Sequence, residues 1–193
     1  MINLNSEIKI EIKDPEEIIC KLREKSAILV GGAKEITTRY DFEENELEKK
    51  GKYIRTRTGF NNIISVKEKI TDNNEEILTR NDIEVEISNI KNMKYILKSI
   101  GLIPKFQMEK YRLKWMFNGN TINLDELFFG CFIEIHGRKE EIWKIINELE
   151  LDEKNIIVGT YWDIFEKYKI EKSIDVNLKD ILFPQDYSYK IAQ

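Results

Sequence analysis

Charged residues alternate with apolar residues along several short stretches of the sequence. In residues 5–13, two glutamates and two lysines alternate with three isoleucines. A β-strand directs alternate side chains to opposite faces, so such a stretch has one charged face and one apolar face. The same alternation recurs at residues 53–57, 82–86, 110–114, 123–125 and 132–136. So many half-charged strands in a chain of 193 residues predict a sheet that curls around a polar interior.

The charged faces combine acids with bases, and this combination indicates a class of ligand. Buried charges are costly unless they are paired or bind an ion. Arg55 and Arg57, two residues apart, place two planar guanidinium groups on one face, which suits phosphate oxygens. Carboxylates cannot hold phosphate directly, but they bind Mg²⁺ or Mn²⁺, which bridge to phosphate. The pattern therefore predicts a metal–polyphosphate ligand rather than a carboxylate or a sugar. The acids are Glu7, Glu11, Glu84, Glu86, Asp125 and Glu134, and the bases are Lys9, Lys13, Arg55, Arg57, Lys67, Lys110 and Arg112.

The elements that must position these residues follow from local signals. Asp14 and Pro15 predict the start of a helix that runs to about Lys25, because Asp caps a helix and Pro suits its first position. Thr160 predicts the start of another helix through a capping pattern with Asp163. Strands are predicted at 5–13, 36–42, 53–58, 63–69, 78–87, 106–117, 121–127 and 130–136, further helices at 43–50, 90–100, 138–149 and 178–183, and a polar loop at 71–76.

Composition limits the function classes. The net charge of −4 offers no basic excess of the kind that marks a nucleic-acid binder. No apolar run approaches the roughly 20 residues that span a bilayer, and the amino terminus lacks the apolar region of a signal peptide. We therefore expect a cytoplasmic protein with no nucleic-acid or membrane partner. Cys20 and Cys131 have no metal-ligand spacing and are expected to be buried thiols.

The charged motifs resemble those of the CYTH superfamily, also called triphosphate tunnel metalloenzymes. This superfamily includes class IV adenylate cyclases, thiamine triphosphatases and inorganic triphosphatases, and its signature is an amino-terminal ExExK strand. Counting back from Asp14 makes Lys9 the signature Lys and Glu7 the second Glu, with Asn5 at the position of the first. Further motifs follow in family order at residues 40–42, 51–57, 65–67, 84–86, 109–112, 124–126, 130–134 and 160–163.

The resemblance implies an α+β fold, in which a closed antiparallel eight-stranded β-barrel forms a tunnel with helices packed outside. One such domain would span residues 1–193, with a peripheral tail from about residue 173. The resemblance also implies a metal cofactor, Mg²⁺ or Mn²⁺, and assigns roles to residues. The triphosphate would be held by Lys9, Arg55, Arg57, Lys67, Lys110 and Arg112, with Arg80 as a further candidate. Metal ligands would be Glu7, Asp125, Glu134 and Glu86, and the catalytic group would be Glu7, Lys9, Glu84 and Glu86, of which the last two serve a second ion or the attacking water.

Two residues depart from the family pattern. Asn5 replaces a carboxylate, and His136 stands where many members have the second acid of the last strand. Each exchange removes a negative charge from the expected metal site. Mg²⁺ prefers oxygen ligands, whereas Mn²⁺ accepts imidazole. His136 is therefore either a metal ligand or a strand-end residue without a role.

Three functions remain open at this stage. The first is a metal-dependent phosphohydrolase that cleaves inorganic tripolyphosphate, a nucleoside triphosphate or thiamine triphosphate. The second is a class IV adenylate cyclase, in which the same residues hold the triphosphate of ATP while the ribose 3′ hydroxyl attacks. The third is a protein that binds a triphosphate without turnover. The partner in each case is a small-molecule triphosphate, and whether the chain forms a homodimer is left open.

Overall fold

The chain folds as an α+β protein with a large antiparallel sheet and four α-helices. The structure is a computed structural model that describes residues 3–69, 78–157, 159–175 and 177–191, so the loop predicted at 71–76 lies outside the described residues. The strands are β1 (Asn3–Ile12), β2 (Ile28–Asp41), β3 (Lys52–Thr58), β4 (Ile63–Lys69), β5 (Leu78–Glu86), β6 (Ile103–Phe117), β7 (Asn120–Leu127), β8 (Gly130–His136) and β9 (Ile156–Ile157). The helices are α1 (Pro15–Glu24), α2 (Ile90–Ser99), α3 (Lys139–Glu148) and α4 (Tyr161–Lys172). None of the helices within the described ranges is long and apolar enough to cross a membrane.

Strand β1 pairs with strands from both ends of the sheet. The strand order is β5-β4-β3-β2-β6-β7-β8-β1-β9. Beyond its neighbours in this order, β1 pairs through its first half with β5, from Asn3 opposite Asp82 to Glu7 opposite Leu78. Its pairing with β8 begins at Glu7 opposite His136. The backbone of β1 is therefore paired with β5 along its first half and with β8 from Glu7 onward.

The main hydrophobic core lies between the apolar face of the sheet and helices α1 and α3. Ile10 of β1 and Ile133 of β8 are opposite one another and are both buried. They pack in one cluster with Leu22 of α1 and Ile146 of α3. Burying such a side chain contributes about 1.5–3 kcal/mol. Because strands alternate, fixing this face on the helices fixes the charged residues on the other face.

The predicted starts of α1 and α4 are confirmed. The Asp14 side chain accepts a hydrogen bond from the Glu17 backbone N–H at 3.0 Å. Thr160 and Asp163 form a capping box, in which each side chain bonds to the backbone of the other. These contacts satisfy backbone N–H groups that a helix leaves without partners at its first turn.

The second strand is longer than predicted and begins at residue 28 rather than 36. Gly31 and Gly32 both lie within β2, next to a register shift against β6. A Cβ atom at Gly32 would lie 2.8 Å from Leu113 Cδ2 and 2.9 Å from the Tyr111 hydroxyl. Glycine here allows β2 and β6 to approach closely, which is a known use of glycine within strands.

The helix predicted at 43–50 is wrong, apart from a 3₁₀ turn at Glu48–Lys50. The buried carboxylate of Asp41 explains the difference, because it accepts hydrogen bonds from the backbone N–H groups of Phe42, Leu47 and Glu48. Burial by itself would raise the pKa of Asp41, but these N–H groups lower it. The side chain thus holds the backbone in a turn that competes with a helix.

The helix predicted at 178–183 is also wrong. Ile181 is fully buried and pairs with Met108 of β6, and its backbone N–H donates to the Gln107 carbonyl at 2.8 Å. Residues near the carboxyl terminus therefore pack against the sheet.

Cys20 is exposed rather than buried as predicted, whereas Cys131 is buried. Burial together with the charge of Glu126 raises the pKa of Cys131 to about 11.

One buried carboxylate anchors the end of the tail. Glu126 of β7 is fully buried and accepts hydrogen bonds from the backbone N–H groups of Lys190 and Ile191 at 2.8–3.0 Å. The Tyr187 hydroxyl also donates to it, at 2.9 Å. The tail supplies all of these donors, so the carboxylate and the tail depend on each other.

We predict that Glu126→Ala lowers the free energy of unfolding by about 2–3 kcal/mol, because several hydrogen bonds to a buried charge are lost together. Urea denaturation measures the loss, and hydrogen exchange should show faster exchange in residues 177–191. The exposed Glu44 provides a control, since Glu44→Ala should leave both quantities unchanged. Equal stability of the two variants would contradict the anchoring role.

Candidate functional site

A cavity of about 600 Å³ lies against the charged face of the sheet. Every strand from β1 to β8 contributes at least one residue to its lining, and the first turn of α4 contributes Tyr161 and Trp162. The polar interior predicted from the alternation is therefore present. The predicted residues that line it are Glu7, Lys9, Arg55, Arg57, Lys67, Glu84, Lys110, Arg112, Glu134 and His136.

Several predicted residues are not part of this lining. Glu86 is exposed and accepts a hydrogen bond from Asn61. Glu11 and Lys13 are exposed as well. The backbone of Arg80 lies in β5, opposite Asn5 of β1, but the side chains of both residues lie outside the described part of the structure.

Asp125 lies behind the basic residues rather than at the cavity surface. Its two oxygens accept hydrogen bonds from Arg112 at 2.5 and 2.6 Å, from Lys110 at 2.9 Å and from the Tyr161 hydroxyl at 2.7 Å. Burial alone would raise the pKa of Asp125, but Arg112 and Lys110 outweigh it and lower the pKa. In this arrangement Asp125 is a counter-charge that orients two bases toward the cavity. Its predicted role as a metal ligand stays a prediction.

Glu35 is a site residue that the sequence reasoning missed. It lies on the part of β2 that was not predicted as a strand, and its side chain is only 4% exposed. Its carboxylate is 3.6 Å from Arg57, 3.5 Å from Lys110 and 3.7 Å from Arg112. Burial would raise the pKa of Glu35, but these three cations lower it. The alternation of residues 33, 35, 37 and 39 could have identified this face.

Asp82 is a second missed residue, although it begins a stretch whose alternation was recognised. It lines the cavity and forms an ion pair with Lys67 of β4. Burial and the charge of Arg55 lower the pKa of Lys67 to about 8, although the charge of Asp82 opposes both effects. Lys67 is therefore a base whose charge changes within a readily tested pH range.

A group of potential metal ligands lies on β1 and β8. Glu7, Glu134 and His136 each offer one ligand atom, and these atoms lie within 4.8 Å of one another. Burial would raise the pKa of Glu134, but Lys9, Arg112 and His136 lower it well below its ordinary value of 4.5. Glu134 is thus an ionised carboxylate inside the protein, as a divalent cation requires.

Aromatic side chains border another part of the cavity. Phe106 and Trp162 stack with ring centroids 4.7 Å apart. Arg39 lies over the Tyr53 ring, with its guanidinium carbon 4.8 Å from the centroid. Tyr161 is buried beneath Lys9 and Lys110, whose amino groups lie 5.4 and 5.2 Å from its centroid. Burial and the charges of Asp125 and Glu134 raise the pKa of Tyr161 well above its ordinary value, so its hydroxyl remains a donor.

The fold and cavity define a class of α+β proteins whose sheet carries acids and bases around one polar cavity. The family model described as CYTH domain matches residues 3–161. The chain therefore belongs to the CYTH family, as its charged motifs predicted. No match was found among curated proteins.

Solved structures share this fold at low sequence identity. A provisionally assigned adenylate cyclase from Vibrio parahaemolyticus has a TM-score of 0.77 and 17% identity, over 86% of this chain and 99% of that one. A protein from Pyrococcus horikoshii has a TM-score of 0.71 and 24% identity, over 85% and 99%. A provisionally assigned adenylyl cyclase from Hippeastrum, described as having a dominant triphosphatase activity, has a TM-score of 0.63 and 17% identity, over 85% and 96%.

The lowered carboxylate pKa values predict a loss of stability in acid. A carboxylate with a lowered pKa binds its proton less tightly in the folded state, so its contribution is present above its ordinary pKa and is lost as the pH falls. The free energy of unfolding should therefore fall as the pH drops below 4.5, the ordinary value for Glu35, by up to about 1.4 kcal/mol per pH unit for each proton bound on unfolding.

The variant Glu35→Gln should show a shallower decline, because one of these carboxylates is removed. Urea denaturation between about pH 3 and pH 7, a range that covers ordinary carboxyl titration, measures how the free energy of unfolding of each protein depends on pH. Glu44→Gln, at an exposed position, is the matched control and should keep the slope of the unmodified protein. A slope that Glu35→Gln leaves unchanged would exclude ion pairing of Glu35 as a source of the pH dependence.

Proposed function

We propose that the protein is a metal-dependent enzyme that binds a triphosphate compound in the cavity and hydrolyses its phosphoanhydride bond. The observation that carries this proposal is the set of six basic side chains that line one cavity together with ionised carboxylates. The bases are Lys9, Arg55, Arg57, Lys67, Lys110 and Arg112. A triphosphate carries several negative charges on a short chain, so it can contact bases on several strands at once.

The pairing of β1 with β5 supports the further proposal that the sheet forms a closed eight-stranded tunnel. These strands stand near opposite ends of the strand order, and their pairing covers residues 3–7 of β1. All eight strands also contribute to one cavity. A closed wall would exclude bulk water, which strengthens the attraction between the bases and the phosphate groups.

The bases are held in place before a ligand arrives. Arg112 is buried between Asp125 and Glu134, and Lys110 is bonded to Asp125. Arg57 is 3.4 Å from Glu84, which is more exposed than the other acids of the site. Preorganised charges of this kind stabilise charge that develops in a transition state without a cost of rearrangement during the reaction.

The residues present fit a divalent cation. Glu7, Glu134 and His136 supply two carboxylates and an imidazole within reach of one ion. When bound, a divalent cation would neutralise phosphate charge and activate a water molecule. The bases stabilise the leaving diphosphate as its bond to the terminal phosphorus breaks. The water oxygen bonds to that phosphorus, and the proton that the water loses passes to the solvent. Glu84 is the residue we assign to orient that water, because its carboxylate lies at the cavity and is partly exposed.

A cyclase reaction is the second candidate, and the aromatic border of the cavity favours it. Phe106, Trp162 and Tyr53 offer apolar surface beside the bases, where an organic group attached to a triphosphate could pack. With ATP, the ribose 3′ hydroxyl would attack the α-phosphorus and pyrophosphate would leave. The adenine ring of ATP could equally pack there during hydrolysis, so the products must distinguish the two reactions.

Product analysis tests the proposal directly. The protein is incubated with tripolyphosphate, ATP or thiamine triphosphate, each with Mg²⁺ or Mn²⁺, and products are separated by ion-exchange chromatography. Orthophosphate release is the expected result. Formation of cyclic AMP together with pyrophosphate from ATP would overturn hydrolysis in favour of cyclisation. Binding without any product would overturn both enzymatic proposals.

The variant Arg57→Ala should weaken tripolyphosphate binding by about ten- to a hundredfold, because hydrogen bonds between charged groups are lost. Isothermal titration calorimetry measures the affinity. Arg138→Ala is the matched control, since Arg138 is exposed and pairs with Glu141 outside the cavity. An affinity for tripolyphosphate that is unchanged in Arg57→Ala would rule out the cavity as the triphosphate site.

The pKa of Lys67 predicts a pH dependence of binding. Above about pH 8 the free protein loses the Lys67 charge, while a bound polyanion favours the protonated form. Binding then takes up a proton, and affinity falls by up to about tenfold per pH unit as the pH rises. Calorimetry with tripolyphosphate at pH values below and above this point measures the decline.

Lys67→Arg should remove this decline, since the guanidinium group stays charged throughout the range. Lys52→Arg is the matched control, because Lys52 lies on the neighbouring strand β3 and is paired with Glu68 away from the cavity. The interpretation fails if Lys67→Arg retains the pH dependence of the unmodified protein.

A further inference from the structure

The group of potential metal ligands contains an imidazole where the family resemblance implies a carboxylate. The Nε2 atom of His136 is 2.6 Å from Oε1 of Glu134, and its Nδ1 atom is 3.8 Å from Oε2 of Glu7. The imidazole therefore lies between two carboxylates that belong to different strands. A residue without a role at a strand end would not be placed with both ring nitrogens toward acids of the same cavity.

The two carboxylates are oriented from their other side by Lys9. Its amino group is 2.5 Å from Oε1 of Glu7 and 3.2 Å from Oε2 of Glu134. Each carboxylate thus directs one oxygen toward Lys9 and the other toward His136. One ligand atom from each acid and one from the imidazole lie within 4.8 Å of one another.

A buried carbonyl oxygen next to this group also indicates a ligand. Asn123 of β7 lines the cavity, and its side chain is 2% exposed. Its amide nitrogen is 3.3 Å from Oε1 of Glu134, while its Oδ1 atom has no hydrogen-bond partner among the described residues. Leaving such an oxygen buried without a partner is costly. Asn123 is therefore available as an additional oxygen donor beside Glu134.

We propose that His136 is a metal ligand and the residue that makes this site prefer Mn²⁺ over Mg²⁺. The proposal rests on the metal dependence of the proposed function and specifies the ion. Mg²⁺ demands oxygen ligands in a near-ideal octahedron and gives up its water reluctantly. Mn²⁺ gains more than Mg²⁺ from a nitrogen donor, because it is a softer transition-metal ion and accepts imidazole in place of an oxygen ligand.

Binding of Mn²⁺ can be followed without turnover by electron paramagnetic resonance. In the unmodified protein without triphosphate, bound Mn²⁺ should show pulsed-resonance coupling to an imidazole nitrogen. Mg²⁺ should displace half of the bound Mn²⁺ only at more than about a tenfold excess. In His136→Glu, the nitrogen coupling should disappear and the Mg²⁺ excess required should fall by at least about tenfold, because all donors are then oxygens.

Two further variants make the comparison specific. Ser88→Glu adds the same negative charge at an exposed position and should keep both the coupling and the preference of the unmodified protein. His136→Gln removes the imidazole nitrogen without adding charge, and bound Mn²⁺ should then lose its coupling to that nitrogen. Circular dichroism of each variant establishes that the fold is retained.

Absence of nitrogen coupling in the unmodified protein would overturn the proposal. The proposal would also fail if His136→Glu required the same excess of Mg²⁺ to displace half of the bound Mn²⁺. Failure of Mn²⁺ to bind at all would overturn it too. These outcomes differ from a failure of the proposed function. Nitrogen coupling in a protein that releases no product from any triphosphate would leave the metal ligand in place and remove the enzymatic role.

Discussion

A buried arginine between acids of three strands constrains the whole charged wall. Arg112 bonds to Asp125 of β7 and to Glu134 of β8, and it lies 3.7 Å from Glu35 of β2. Removing one member of a buried pair typically costs about 3–5 kcal/mol, because the partner is left without compensation. The acids and bases of this wall therefore depend on one another. Their network keeps charges inside the protein, and it directs Lys110 and Arg112 toward a cavity that a polyanion can enter.

Strand β1 joins the packing of the fold to the chemistry of the cavity. Its isoleucines are buried against helices α1 and α3, while Glu7 and Lys9 line the cavity from the opposite face. Because β1 pairs with β8, Glu7 lies opposite His136 and Lys9 lies opposite Glu134. A shift of one residue in this strand would exchange the two faces, so the hydrophobic core also fixes the register of the site.

Sequence reasoning located most of the charged residues of the cavity but not how they pair. The alternation placed Lys9, Arg57 and Glu134 on one face, and the structure confirms that they line the same cavity. Glu35 was missed because it directly precedes the predicted start of the second strand at residue 36, whereas β2 begins at Ile28. Local sequence patterns also could not predict the exposure of Glu86 or the backbone turn that Asp41 holds. Each depends on contacts with residues beyond the immediate neighbours in the chain.

The sequence by itself determined which residues share a face and where helices α1 and α4 begin. Both follow from interactions over a few residues: the two-residue period of a strand and the hydrogen bonds of Asp14 and Thr160 at helix starts. Only the tertiary structure decided which charges meet across strands. It made Asp125 a counter-ion for Lys110 and Arg112, and it placed His136 between Glu7 and Glu134. Those contacts depend on strand register and on the burial that excludes water, and neither can be derived from spacing along one chain.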